Sequence, residues 1–385
     1  SGGVDSSLII AFMRRAGAGR VLTQTVDAPE ADAGYAIETR DLPYARRVRD
    51  HFGDLDYHEI ELRPRVAELL PLLVWHLDDP VADPAAIATY LICRAAKERA
   101  TVMLSGMGAE EVFCGYGRHR AALLAEHWRA LPRSLRDGVV RPIIERLPAS
   151  RPGRFMALAR NAKKFVRSAG DDFEERYLGY VSYYRPAELA ALMAPGIDVE
   201  RVWERHRRLL ERSRGLHPLR RMSHLDLHTF LPNLNLAYTD RASMAASVEV
   251  RTPILDHRLV EFVAALPPAL LVRGREQKHI LKRVARRYLP SDVVHRPKTG
   301  FAAPVRAWVS RDLRPLIREL LAPDRLRRRG ILEPTAVQRI IDAQWAGRED
   351  NALRIWAFLT FELWARTFLD RDGEAPLPAP GEPLP

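Results

Sequence analysis

The first seven residues, Ser1-Gly2-Gly3-Val4-Asp5-Ser6-Ser7, put two glycines, one carboxylate and three hydroxyls directly ahead of an apolar helical pattern. Gly2 and Gly3 can take positive φ and let an anion approach the backbone. The free N–H groups of a first helical turn then point at that anion, and Ser1, Ser6 and Ser7 add hydroxyl donors. Asp5 beside a phosphate needs a cation between them, which points to Mg2+. The stretch is neither a Walker loop, which needs GxxxxGK[ST], nor a dinucleotide fingerprint. The same residues also suit a plain helix start capped by Asp5 or Ser6, and both readings stay open on this stretch alone.

Three further stretches carry chemistry. Leu104 to Tyr116, LSGMGAEEVFCGY, ends a strand with Ser105-Gly106 and follows it with Glu110 and Glu111. Two parallel strands ending in such turns place both at one crevice outside their carboxyl ends, where Asp5 and Glu110 could share a metal. As a pair alone, Glu110 and Glu111 are equally first-turn acids favoured by the helix dipole. Thr239 to Phe262 holds Asp240, Glu249, Arg251, Asp256 and Arg258; Glu249 with Arg251 and Asp256 with Arg258 are candidate structural ion pairs. Arg296 to Pro304, RPKTGFAAP, sets Lys298 in a Pro/Gly turn, either as a mobile cation over a site or as a surface lysine.

The elements needed to hold these stretches are legible upstream. Leu8, Ile9, Phe12 and Met13 recur at helical spacing, and Gly17 stops that helix. Val21 to Val26 reads as a buried strand, 42–52 as a helix and 57–62 as an alternating strand. Helices follow at 66–75 and 85–98, then a strand in 101–106. Strands alternating with helices predict a parallel sheet covered on both faces. From about Arg118 onward the strand signals vanish, and Arg-rich amphipathic helices dominate, as at 123–131, 201–214 and 312–321. The final run, GEAPLPAPGEPLP, is too polar and proline-rich to pack a core.

Composition limits the function classes. The formal charge is +11, but only Lys97, Lys163, Lys164, Lys278, Lys282 and Lys298 are lysines. The arginines are scattered without an aromatic-interleaved basic stripe, so nucleic acid is not expected as a partner. No apolar run is long enough for a bilayer, and the sequence reads as a cytoplasmic protein. Cys93 and Cys114 form no CxxC pair, which argues against a disulfide framework or zinc site.

Five collinear stretches, SGGVDSS, LSGMGAEEVFCGY, SMAASVEVRTPILDHRLVEF, GREQKHILKRVARRYLP and RPKTGFAAPVRAW, resemble the synthetase half of glutamine-dependent asparagine synthetase. They span Ser1 to about Trp308. The resemblance implies a doubly wound parallel α/β domain of the ATP-pyrophosphatase (PP-loop) type at 1–120, a mainly helical region at 121–370, and a Pro-rich tail at 371–385. It also implies a reaction: ATP adenylates the side-chain carboxylate of aspartate with release of pyrophosphate, and ammonia displaces AMP. By resemblance, Ser1, Gly2, Gly3, Asp5, Ser6 and Ser7 match the pyrophosphate loop, and Val26, Ser105 and Gly106 match nucleotide contacts. Asp5 and Glu110 match the magnesium-binding acids. Lys298 resembles the lysine that neutralises charge on the phosphates, and Lys278 falls at a second recurrent lysine with the same role. A homodimer is also implied.

Three residues depart from the family pattern. Glu110 stands where Asp is usual, so its extra methylene requires a shifted metal or a water bridge. Met107 stands where many members carry an acid linked to ammonia transfer, and Met cannot accept a proton. Cys114 replaces a usual Gly. The glutaminase domain that supplies ammonia in the family, with its N-terminal Cys, has no counterpart here, and neither has the strand that feeds the loop at Ser1; the sequence is therefore expected to be a fragment. Alternatives are an AMP-forming ligase acting on another carboxylate, as in β-lactam or lasso-peptide ring closure, a tRNA-modifying PP-loop enzyme, and a degenerate nucleotide-binding module.

Overall fold

A computed structural model describes residues 2–27, 41–61, 64–147, 162–163, 165–166, 168–169, 172–297 and 303–371. Ser1, Lys298 and residues 372–385 of the expected tail lie outside this set.

The chain starts with helix α1 (Val4–Arg15), and strand β1 (Leu22–Asp27) follows. Gly17, at φ 84°, turns the chain between them, as the sequence predicts. Helix α2 (Leu42–Phe52) then leads to β2 (Asp56–Glu61), which pairs with β1 in parallel from Leu22 opposite Asp56 to Asp27 opposite Glu61. Helices α3 (Val66–Leu77) and α4 (Ala85–Ala96) precede β3 (Val102–Leu104), a short helix α5 (Ala109–Val112) and the longer α6 (Gly117–Ala130).

The expectation that strands end near Arg118 needs correcting. Beyond α7 (Pro218–His228) and α8 (Ala237–Ala245), β4 (Glu249–Arg251) pairs with β3 in parallel, Val102 opposite Glu249. A small antiparallel ladder, β5 (Val272–Arg273) with β6 (Glu276–Gln277), leads into α9 (His279–Ala285). These strands are two or three residues long, too short to show a period-2 pattern. The described strands form three separate two-stranded ladders; the chain is a mixed α/β structure with helices in the majority.

Apolar spacing explains the packing. Leu8, Ile9 and Ala11 of α1 are buried in one cluster with Ala109 and Val112 of α5, Phe113, and Leu281 and Ala285 of α9. Each fully buried aliphatic side chain contributes about 1.5–3 kcal/mol, so this cluster is what binds three helices from distant parts of the sequence together. A larger core joins α3 with Trp308, Val309 and Leu313 and with Ile355, Trp356 and Leu359 of α10 (Ala352–Phe368). Among the described residues no helix is long and apolar enough to cross a membrane.

Candidate active site

The two glycines at the chain start do not use positive φ. Gly3 is the N-cap residue of α1 at φ −78°, ψ 149°, and Gly2 is absent from the left-handed residues. A Cβ at Gly2 would lie 2.6 Å from the backbone nitrogen of Ala45, so glycine there lets the loop lie against the start of α2. Neither Asp5 nor Ser6 caps the helix by its side chain; Asp5 sits in the first turn. The Ser6 hydroxyl donates to the Gly3 carbonyl at 3.2 Å. Ser7 is fully buried, and its hydroxyl has no hydrogen-bond partner.

The second turn lies directly on the first. The Ser105 amide donates to the Arg251 carbonyl at 2.8 Å, which extends the β3–β4 ladder into the turn. The Ser105 hydroxyl then accepts from the Met107 amide at 3.2 Å. A Cβ on Gly106 would come within 2.8 Å of both the Asp5 Cβ and the Ser6 amide nitrogen. Glycine at 106 is therefore what permits the two turns to touch.

The two carboxylates meet on a lysine. The Lys278 ammonium donates to Asp5 Oδ2 at 2.6 Å and to Glu110 Oε1 at 2.6 Å. The lysine side chain is 6% exposed, against 21% for Asp5 and 24% for Glu110, so both acids keep an open edge while the cation does not. Burial pushes the Lys278 pKa down, but the charges of Asp5 and Glu110 outweigh it and hold the ammonium above its ordinary value.

Several features fix this ammonium. Lys278 has left-handed backbone at φ 54°, ψ 36°, immediately before α9. The neighbouring Gln277 side chain donates to the carbonyls of Cys114 and Tyr116. Gly115 leaves room for the lysine stem: a Cβ there would lie 2.1 Å from Lys278 Cε and 2.2 Å from Glu110 Oε2. Cys114 itself has φ 55°, the backbone region that glycine adopts without strain, which accounts for glycine being usual at this position. Its thiol is buried with its nearest polar partner, the Leu219 carbonyl, at 4.0 Å, and burial pushes it up to about 12.

Behind Glu110 lies a polar network that no motif in the sequence announces. Glu111 is buried, and its carboxylate accepts from the Tyr116 hydroxyl at 2.7 Å and the Asn235 amide at 2.8 Å. The Ser223 hydroxyl donates to the Glu111 carbonyl at 2.9 Å. Burial raises the Glu111 pKa. Asp226 of α7, also buried, meets His119 at 2.9 Å and Arg118 at 3.0 Å, and it accepts from the Tyr177 hydroxyl at 3.1 Å. Arg118 stacks over Tyr116 with its guanidinium carbon 3.9 Å from the ring centroid. This network anchors α5, and with it Glu110, to α6 and α7. Paired polar residues so far apart in sequence leave no local signal.

The remaining predicted residues separate. Val26 is the penultimate residue of β1, in register with Ile60. Lys298 lies outside the described residues. Met107 packs against an apolar cluster containing Leu77, Val81, Ala85, Ala86 and Tyr238, and the Thr239 hydroxyl reaches its sulfur at 3.3 Å. Nearby, Asp83 accepts from the Ala85 amide at 2.9 Å, with burial raising its pKa, and Arg241 donates to the Leu77 carbonyl. Glu249 with Arg251 and Asp256 with Arg258 are ion pairs, as the sequence suggests, but exposed ones.

Among the described residues no group of three or more His, Cys, Asp or Glu gathers as a metal site. Asp5 and Glu110 still suit Mg2+, which binds through one or two carboxylates when substrate phosphates complete its shell. The Lys278 ammonium shows that one cation can touch both.

Comparison with known proteins places the chain in a family. The asparagine synthase family model matches residues 1–366. A Mycobacterium tuberculosis protein provisionally named a glutamine-hydrolysing asparagine synthetase is 29% identical, over 100% of this chain and 56% of its own length. Glutamine-hydrolysing asparagine synthetase 1 of Bacillus subtilis is 25% identical, over 94% of this chain and 55% of its own. Amidase chry2 of Gibberella zeae is 24% identical, over 92% of this chain and 56% of its own. The chain thus spans about half the length of the curated relatives it matches.

Proposed function

The chain belongs to the asparagine synthase family, and from that membership we propose that it is an ATP-dependent amide synthetase forming asparagine from aspartate. The observation that carries this reading is the meeting of Asp5, Glu110 and Lys278, with the Ser105–Gly106 turn laid against Asp5 and Ser6.

The amides at the start of α1 and the hydroxyls of Ser1 and Ser6 bind the β- and γ-phosphates of ATP, and the buried Ser7 hydroxyl joins them after a local opening. Val26, Ser105 and Gly106 line the rest of the nucleotide. The substrate carboxylate attacks the α-phosphorus, the bond to the β-phosphate oxygen breaks, and pyrophosphate leaves. Lys278 and Lys298 neutralise the charge that accumulates there. Mg2+ on Asp5 and Glu110 would withdraw electrons from the phosphates and screen them from the incoming carboxylate. Ammonia then adds to the acyl carbon, AMP leaves, and the surplus proton passes to solvent, because Met107 cannot take it.

The glutamine-hydrolysing names of the relatives support a glutaminase domain as the source of ammonia. We place the nucleotide domain at 1–120, as a PP-loop doubly wound sheet, and the helical region at 121–370 with a Pro-rich tail at 371–385; a cytoplasmic homodimer completes the reading. A second substrate assignment has a specific observation behind it. Met107 and its apolar surroundings leave no acid where many relatives have one, and this favours a carboxylate other than aspartate.

The test supplies ATP, Mg2+, an ammonium salt and either aspartate or other carboxylic acids, and follows pyrophosphate and AMP. Aspartate-dependent pyrophosphate release with asparagine formed supports the first reading. Release only with another carboxylate supports the second. ATP binding without release under any condition refutes both.

A further inference from the structure

Lys278 does more in this structure than wait for phosphates. Its ammonium sits midway between the two carboxylates that would share a cation, 2.6 Å from each. It is held there by construction: Gly115 gives its stem room, Gln277 fixes the preceding residue, and the backbone takes a left-handed conformation. That conformation is strained for a non-glycine residue, and it persists only where the surroundings impose it.

We propose that Lys278 is a resident counter-ion, occupying the cation position between Asp5 and Glu110 and leaving it only when a metal arrives together with the phosphates of a nucleotide. This rests on the reading that the nucleotide lies at the start of α1.

Electrostatics dictates the exchange. A divalent ion and an ammonium cannot both sit within contact distance of the same two oxygens, since like charges that close repel strongly. A free metal ion would have to eject the ammonium from its partners into a buried space, and an uncompensated buried charge is costly. Once pyrophosphate oxygens lie at the first turn of α1, the displaced ammonium gains anionic acceptors in exchange. The partners then re-pair: the two carboxylates take the dication, and the lysine takes the phosphates. Metal and nucleotide therefore favour each other's binding, and by linkage the effect is reciprocal. Each acid thus touches a cation in either state, and the metal enters only with its cargo.

The experiment measures Mn2+ binding without nucleotide, by electron paramagnetic resonance of free Mn2+ and by the shift in Tm, on the native chain, on Lys278→Met, and on Lys278→Met combined with Glu110→Gln. The native chain should bind Mn2+ at least about tenfold more weakly than Lys278→Met, a difference of about 1.4 kcal/mol. Lys278→Met should have a lowered Tm in chelator that Mn2+ restores, and the double variant should lose that response. If Lys278→Met folds only when Mn2+ is present, that dependence supports the proposal in the same way. Equal Mn2+ affinity in the native chain and Lys278→Met overturns it, and so does a response that survives Glu110→Gln. These readouts are independent of turnover. A full Mn2+ response with no pyrophosphate release from any carboxylate would defeat the proposed function and leave the counter-ion in place.

Discussion

The substitution Gly115→Ala isolates the shape of the site from its chemistry. Gly115 is not among the residues with positive φ, so alanine fits its backbone without strain. The added methyl meets Lys278 Cε at 2.1 Å and Glu110 Oε2 at 2.2 Å. Carbon atoms rest at about 3.5–4.0 Å, so the lysine stem must retreat by roughly 1.4 Å. Lys278 is buried, and forcing a methyl into a packed interior costs about 1–3 kcal/mol. If the retreat also breaks one of the two ion contacts, the loss grows toward the low end of the roughly 3–5 kcal/mol seen on breaking buried pairs, because both carboxylates are partly open to water. Urea unfolding followed by circular dichroism measures the stability change. Displacing a charged group by about 1 Å also lowers kcat/KM for pyrophosphate release by on the order of 100-fold. Gly117→Ala is the control, since nothing lies within 4 Å of a Cβ there; it should change stability by no more than about 0.5 kcal/mol. Gly115→Ala with native stability and native pyrophosphate release would refute the claim that this glycine seats the ammonium.

Three other outcomes are expected. Glu110→Gln should lower the rate of pyrophosphate release by about 100-fold or more, as removal of one stabilising charge does elsewhere, with the fold retained by circular dichroism; an unchanged rate would take Glu110 out of the site. Burial pushes Cys93 up to about 11 and Cys114 up to about 12, so iodoacetamide at pH 8 should label neither in the folded protein and both in urea. Burial holds His119 below its ordinary 6.5, so the unfolded chain takes up a proton first on acidification and stability falls as the pH drops below about 6.5. Asp226 acts in the same direction: burial raises its pKa, the His119 hydrogen bond and the Arg118 charge lower it more, and this stability is lost at still lower pH. His119→Gln should flatten the loss between pH 7.5 and about 5.5 in urea titrations, and an unaltered slope would refute the assignment.

How much of this was legible in the sequence depends on the range of each signal. The α2 bounds match the helix read at 42–52, and α3 and α4 agree to within two residues. Gly17 works as the stop that its position suggests. Asp5, Glu110 and Lys278 were each identifiable by resemblance, but nothing in their spacing says that one ammonium binds both acids. That contact depends on Gly106 and Gly115 having no Cβ, which is a property of the folded surface. The β4 strand escapes notice because three residues carry no period, and its partner is 147 positions away in the case of Val102 with Glu249. Glu111, Asp226 and Asn235 look like ordinary polar residues until burial brings them together. The φ of Cys114 is one that suits glycine, and nothing in the structure explains why a cysteine stands there.

The Lys278–Asp5 contact joins residues 273 positions apart. At a ribosomal pace of about 5–20 residues per second, a nascent α1 waits roughly 14–55 s before Lys278 has been made. Glu110 emerges long before the lysine as well, 168 positions ahead. During translation neither acid can therefore meet Lys278 until that far later residue has also left the tunnel.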